Sequence, residues 1–109
     1  MQVTSPSDST IIMAGFHALS DPLRLAVIEL LRVQELCVCD LCDRLDVSQS
    51  KLSFHLKNLK GAKLIIPRQE GRWIYYSLNL PQVVLLEQYL AQLRRTAVML
   101  PSSSSSCCD

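Results

Sequence analysis

A mainly helical chain carrying a short β hairpin is what this sequence predicts, and three observations predict it. Apolar residues recur at helical spacing in successive blocks between Ile11 and Leu59. Two β-prone runs rich in Ile, Trp and Tyr, 64–67 and 73–78, follow with Gly71 between them. A last apolar helical stripe begins after Pro81. Two short helices joined by a tight turn and followed at once by a hairpin make a winged helix-turn-helix, here with about five helices and a two-stranded β wing.

The 109 residues are enough for one domain with its own core, and few enough that a second copy could usefully bury more surface. Residues 1–9 read as a flexible arm, 10–100 as the folded domain, and 101–109, PSSSSSCCD, as a flexible tail bearing Cys107 and Cys108. Formal net charge is only +1, so any case for nucleic acid rests on where Lys and Arg sit, which is mostly in the second half. No apolar run approaches the ~18 residues needed to span a bilayer. The start MQVTSPSDST lacks the basic and apolar regions of a signal peptide. The expected location is the cytoplasm, away from membranes, where thiols stay reduced and serve metal binding or chemistry more than structural disulfides.

Taken in order, Ile11, Ile12, Phe16 and Leu19 mark a first helix from Thr10. Ser20-Asp21-Pro22 ends it and starts another, with Asp21 as N-cap and Pro22 at the first helical position. Leu23, Ala26, Val27, Leu30 and Leu31 share a face of this second helix. His17, beside Phe16, reads as a surface or partly buried side chain rather than a ligand. A third helix is expected over Val38–Leu45, with Leu41 and Leu45 inward, then a turn at Asp46-Val47-Ser48. Ser48 caps a fourth helix, Ser48–Lys60, whose Leu52, Leu56 and Leu59 face the core.

That fourth helix is about 20 Å long, enough to lie across a major groove. Between its leucines it is expected to expose Gln49, Ser50, Lys51, Ser53, Phe54, His55, Lys57 and Lys60. The N-terminal members suit base edges and the lysines suit phosphates. Leu64–Pro67 and Trp73–Leu78, joined by residues 68–72, form the wing, where Arg68 and Arg72 can reach phosphate or the minor groove. Trp73, Tyr75 and Tyr76 mostly pack by alternation. The last helix, from Pro81 to about Met99, carries Val84, Leu85, Tyr89, Leu93 and Val98, a stripe wider than a small core requires. Homodimerisation covers it, and a two-fold dimer sets two recognition helices roughly 34 Å apart on an inverted-repeat DNA operator.

Directly ahead of the fourth helix, Cys37, Cys39 and Cys42 fall within six positions. Soft thiolates select thiophilic ions such as Cu(I), Zn(II), Cd(II) or trivalent arsenic and antimony. On a regular helix Cys39 and Cys42 stand about 300° apart and can share an ion, whereas Cys37 and Cys39, about 200° apart, point to opposite sides. All three meet on one centre only if the helix start is unwound, which would withdraw support from the recognition helix and lower operator affinity. Three thiolates without a fourth ligand suit a pyramidal trivalent metalloid better than tetrahedral zinc. The plain alternative is that these cysteines are small helix residues, some of them buried.

The segments FHALSDPLRLAVIELL, ELCVCDLCDRL, SQSKLSFHLKNL and RQEGRWIYYSL together resemble the ArsR family of winged-helix repressors, in its arsenic- and antimony-responsive branch, over residues 11 to about 98. The resemblance implies a homodimer joined through its first and last helices, sitting on a resistance-operon promoter and leaving when metalloid binds. It assigns Cys37, Cys39 and Cys42 as the thiolates that bind As(III) or Sb(III) as inducer, with no organic cofactor. It places Gln49, Ser50, Ser53, Phe54 and His55 at the base-facing end of the recognition helix. Gly61-Ala62-Lys63 departs from the acidic-Ala-Gly ending usual in such proteins, so an irregular turn into the wing is expected. The Asp and His ligands that zinc- and cobalt-sensing relatives carry on the last helix have no match in PQVVLLEQYLAQLRR. Cys107 and Cys108 are extra to the pattern and read either as a second arsenical site or as a tail with no role.

Two readings from other classes stand beside this one. The cysteines of a repressor could answer oxidation rather than metalloid. Alternatively they could hold metal in an interaction module that does not read DNA. An enzyme is not expected: the sequence has no phosphate loop and no recognisable carboxylate pair, and His17 and His55 have no obvious catalytic partner.

Overall fold

The computed structural model describes residues 6–99. Their order is α1 (Pro6–Ala18), α2 (Pro22–Leu31), β1 (Leu36–Cys37), α3 (Val38–Leu45), α4 (Gln49–Gly61), β2 (Ile65–Glu70), β3 (Trp73–Leu78) and α5 (Leu80–Met99). Helix α1 starts earlier than Thr10, so residues 6–9 belong to a helix and not to the expected arm. Proline is at home in a first helical turn, where its missing N–H has no partner to lose, and Asp8 lies in that turn. The expectations for residues 1–5 and for the tail with Cys107 and Cys108 lie outside the described residues.

Caps act as read. Asp21 Oδ2 accepts from the backbone N–H groups of Leu23 (2.9 Å) and Arg24 (3.2 Å), and Pro22 follows at the start of α2. Ser48 Oγ accepts from Lys51 N at 3.2 Å and starts α4. Between α3 and α4 the chain reverses at Asp46, in the left-handed region (φ 55°), while Val47 N donates back to Cys42 O. Leu41, Leu52, Leu59, Leu64 and Val27 are the largest fully buried side chains, so the core lies where α2, α3 and α4 meet the base of the sheet.

The wing differs in detail from expectation. Strand β2 runs on through Arg68, Gln69 and Glu70, which leaves a two-residue turn of Gly71 and Arg72, with Gly71 at φ 62°. A third strand joins it: β1 pairs antiparallel with β3, Leu36 opposite Tyr76 and Cys37 opposite Tyr75, giving the order β1-β3-β2. A two-residue strand has no periodicity of its own to read.

The turn from α4 into β2 is irregular, as its sequence implied. Gly61 ends the helix, and the left-handed position falls on Lys63 (φ 66°). Leu64 N reaches back to Leu59 O, Asn79 Nδ2 holds Lys63 O (2.7 Å) and Gln82 Nε2 holds Ala62 O (3.2 Å). Helix α5 packs on α1, where Phe16 meets Tyr89 with ring centroids 6.2 Å apart. Gly15 lets the helices close up, because a Cβ there would lie 2.9 Å from Leu86 Cδ2. Of the α5 stripe, Leu85 and Tyr89 pack inward while Val84 and Leu93 stay exposed, with Leu80, Val83 and Leu90 beside them. Among the described residues, no single helix is long and apolar enough to cross a membrane.

Candidate functional site

Helix α4 presents Gln49, Ser50, Lys51, Ser53, Phe54, Lys57 and Lys60 to solvent. Ser50 Oγ lies 3.5 Å from the capping Ser48 Oγ, and Phe54 is 62% exposed, so an aromatic face and a row of donors share the outer side of the helix. His17 is exposed too, and lines a shallow groove between α1 and α4 with Phe54, Lys57 and Asn58.

His55 corrects the sequence reading: it is buried, not on the exposed face. Its position accounts for this, since 52, 55, 56 and 59 fall on one side of a helix. It meets Arg24, a buried residue on α2 that sequence reasoning passed over although 24, 27 and 31 share the inner stripe. Arg24 Nε donates to Ala18 O (2.7 Å), and Nη1 lies 3.2 Å from His55 Nδ1. A guanidinium can only donate, so Nδ1 is the accepting atom of this contact. Asp21 Oδ2 stands farther off, 3.7 Å from Nδ1. Burial raises the Asp21 carboxyl, but the backbone N–H groups of Arg24 and Leu23, aided by the charge of Arg24, hold it below its ordinary value. The end of α1, the start of α2 and the middle of α4 are thus joined by one polar network.

On the wing, Arg72 is exposed in the turn. Arg68 is engaged. Its Nε and Nη2 donate to both oxygens of Glu35 (2.9 and 2.8 Å), Nη1 donates to Glu70 (2.9 Å), and the guanidinium carbon lies 4.9 Å from the Tyr75 ring centroid. Arg68, expected on the wing within reach of phosphate or the minor groove, thus shares its guanidinium with two carboxylates. Those hydrogen bonds hold the Glu35 carboxyl below its ordinary value against the opposing effect of burial, and Coulomb attraction to Arg68 adds to them. They raise the Arg68 guanidinium in turn. Glu35 was not singled out from sequence, since its partner is 33 residues away.

The cysteines sit at the junction of sheet and helix. Cys37 is the N-cap of α3 with extended backbone (φ −84°, ψ 168°), and its buried Sγ donates to Asp40 Oδ2 at 3.2 Å. The chain is therefore already out of helix at Cys37, while Cys39 lies exposed in the first turn of α3 and Cys42 partly buried one turn on. Burial raises the Cys42 thiol, and the neighbouring Cys39 and Asp43 add to the rise. Among the described residues, no three His, Cys, Asp or Glu side chains are grouped so as to hold one metal ion, so the three thiols do not converge in this conformation.

Comparison with known proteins places these features. Residues 21–66 match the profile of the bacterial regulatory protein, arsR family. The chain is 46% identical over 65 residues to the arsenical resistance operon repressor of Escherichia coli K12, a match covering 59% of this chain and 56% of that protein. It is 34% identical over 89 residues to the arsenical resistance operon repressor of Staphylococcus xylosus, covering 82% of this chain and 79% of that one. The crystal structure of an ArsR family transcriptional regulator superposes with a TM-score of 0.78 at 22% identity, over 92% of this chain and 100% of that chain, a likeness of fold. The chain spans little more than half the length of the Escherichia coli relative, but most of the Staphylococcus xylosus one, and with helix-turn-helix, wing and flanking helices all in place it belongs to the arsR family of bacterial regulatory proteins.

Proposed function

We propose that this protein is a transcriptional repressor that binds an inverted-repeat DNA operator as a homodimer and leaves it when As(III) or Sb(III) binds Cys37, Cys39 and Cys42. The observation that carries the reading is the position of the thiols: they begin the first helix of the helix-turn-helix pair, in contact with both sheet and helix. The names of the Escherichia coli and Staphylococcus xylosus relatives support arsenical control. On α4, Gln49, Ser50, Ser53 and Phe54 face base edges, while Lys51 and Lys57 of the same helix and Arg72 of the wing turn meet phosphates. The exposed Val83, Val84, Leu90 and Leu93 of α5 meet their counterparts in the second copy.

Arsenous acid, As(OH)3, exchanges its three hydroxyls for three thiols. Each As–S bond forms as an As–O bond breaks, and the thiol proton leaves with the hydroxyl as water; no electron is transferred. To join Cys39 and Cys42, Cys37 gives up its hydrogen bond to Asp40, which disturbs the first turn of α3 and the platform under α4. Burial holds the Cys42 thiol above its ordinary value, so this sulfur enters the exchange as a thiol and its proton leaves as water. Arsenite affinity is therefore expected to depend less on pH than cadmium or zinc affinity, which needs thiolates and climbs with pH.

The test is fluorescence anisotropy of a labelled inverted-repeat promoter fragment with reduced protein. Release at stoichiometric arsenite, lost in Cys37→Ser and Cys39→Ser variants that still bind the fragment, supports the reading. Release by peroxide alone, or indifference to arsenite, overturns it.

A further inference from the structure

Cys37, Tyr75 and Arg68 form one row across the sheet, because Tyr75 is the register partner of Cys37 on one side and of Arg68 on the other. The row is closed at its upstream end, where Glu35, two positions before Cys37, takes two hydrogen bonds from the Arg68 guanidinium that lies over Tyr75. Strand β1 is thereby held to the wing twice, by two residue pairs of ladder and by a bidentate ion pair. A two-residue ladder is a weak attachment by itself, and the ion pair adds to it beside the burial of Leu36 and Cys37. The same strand carries the thiol that must change position if the three cysteines are to share a ligand, since they do not converge as they stand.

We propose that Glu35 and Arg68 are positioning residues that couple the state of Cys37 to the wing, so that ligand capture by the cysteines reaches the DNA-facing hairpin as well as the recognition helix. This rests on the metalloid-sensing reading above. When Cys37 is drawn toward Cys39 and Cys42, β1 slackens against β3 and Glu35 is carried off Arg68. Arg68 then keeps only Glu70 and Tyr75, and the charge and set of β2 and β3 change. By linkage, a contact made only in the unliganded arrangement opposes ligand binding, and its removal favours it by the same factor. Exposed ion pairs contribute modestly, so the factor is about two to five.

The chain supplies its own reporter. Trp73 is the sole tryptophan, half-exposed at the start of β3 opposite Glu70, next to the turn. Reduced full-length protein is titrated with arsenite without DNA while two signals are followed: near-ultraviolet absorption of arsenic–sulfur bonds, which reports ligation, and Trp73 emission, which reports the wing. In the wild type the two signals should move together. In Glu35→Gln and in Arg68→Gln, ligation should reach its midpoint at about two- to five-fold less arsenite, with the Trp73 change reduced. The double variant should match Arg68→Gln alone, because Glu35 has already lost its partner there. Ligation in the wild type without a Trp73 change, or wild-type midpoints in both variants, overturns the coupling while leaving metalloid sensing standing. Absence of arsenic–sulfur absorption in the wild type overturns metalloid sensing, and the coupling with it.

Discussion

At the scale of single residues, the polar pairs that matter are those with partners distant in sequence. His55 and Arg24 are the sharpest case: either alone looks like a surface residue, and together they form a buried link between α2 and α4. His55→Ala leaves the buried guanidinium without its imidazole acceptor, and should lower stability by about 1–3 kcal/mol in a denaturant titration, while His55→Gln, which keeps an acceptor, should lose less. Asp21 adds a pH dependence. Its carboxyl titrates below the ordinary 3.8 in the folded chain, so the unfolded chain binds the proton first. The stabilisation is present above that ordinary value and is lost as pH falls through the lower folded one. Acid titration of Asp21→Asn should show a shallower loss of stability over that range than the wild type, and an unchanged slope would remove Asp21 from the cause.

At the scale of elements, caps and periodicity decide most boundaries. Helix α3 occupies Val38–Leu45 as the sequence predicted, since Leu41 and Leu45 set its inner face and Ser48 limits the turn. The exit from α4 is where local chemistry and structure part, with glycine in the last helical position and lysine in the left-handed one. A Cβ at Gly61 would meet nothing within 4 Å. Gly61→Ala should therefore stabilise by about 0.5–1 kcal/mol. Gly71→Ala, at φ 62°, should instead cost about 1–2 kcal/mol and loosen the wing. Thermal melts of the two variants against the wild type separate these signs. Strand β1 could not be read from sequence, because two residues become a strand only when β3 is alongside.

At the scale of the whole molecule, the exposed apolar face of α5 is the surface that the proposed dimer would bury. An apolar groove of about 340 Å³ lies between α1, α2 and α5, lined by Phe16, Leu19, Ile28, Val83, Leu86 and Leu90. Leu93, farther along α5, is 52% exposed and outside this groove, so a charge there leaves the core intact. Leu93→Glu should keep the helical circular dichroism, shift sedimentation to the monomer and weaken operator binding at least ten-fold, about 1.4 kcal/mol or more. A dimer that persists would place the interface elsewhere. The sequence by itself determined the winged helix-turn-helix, the starts of α2 and α4, the core leucines and the clustering of three thiols along the chain, because apolar period, caps and turn residues act over a few neighbouring positions. Only the tertiary structure decided that His55 turns inward to Arg24, that Arg68 is held by Glu35, and that Cys37 belongs to the sheet. Two of those contacts join residues 31 and 33 positions apart, and no local propensity carries the identity of a partner that only folding brings near.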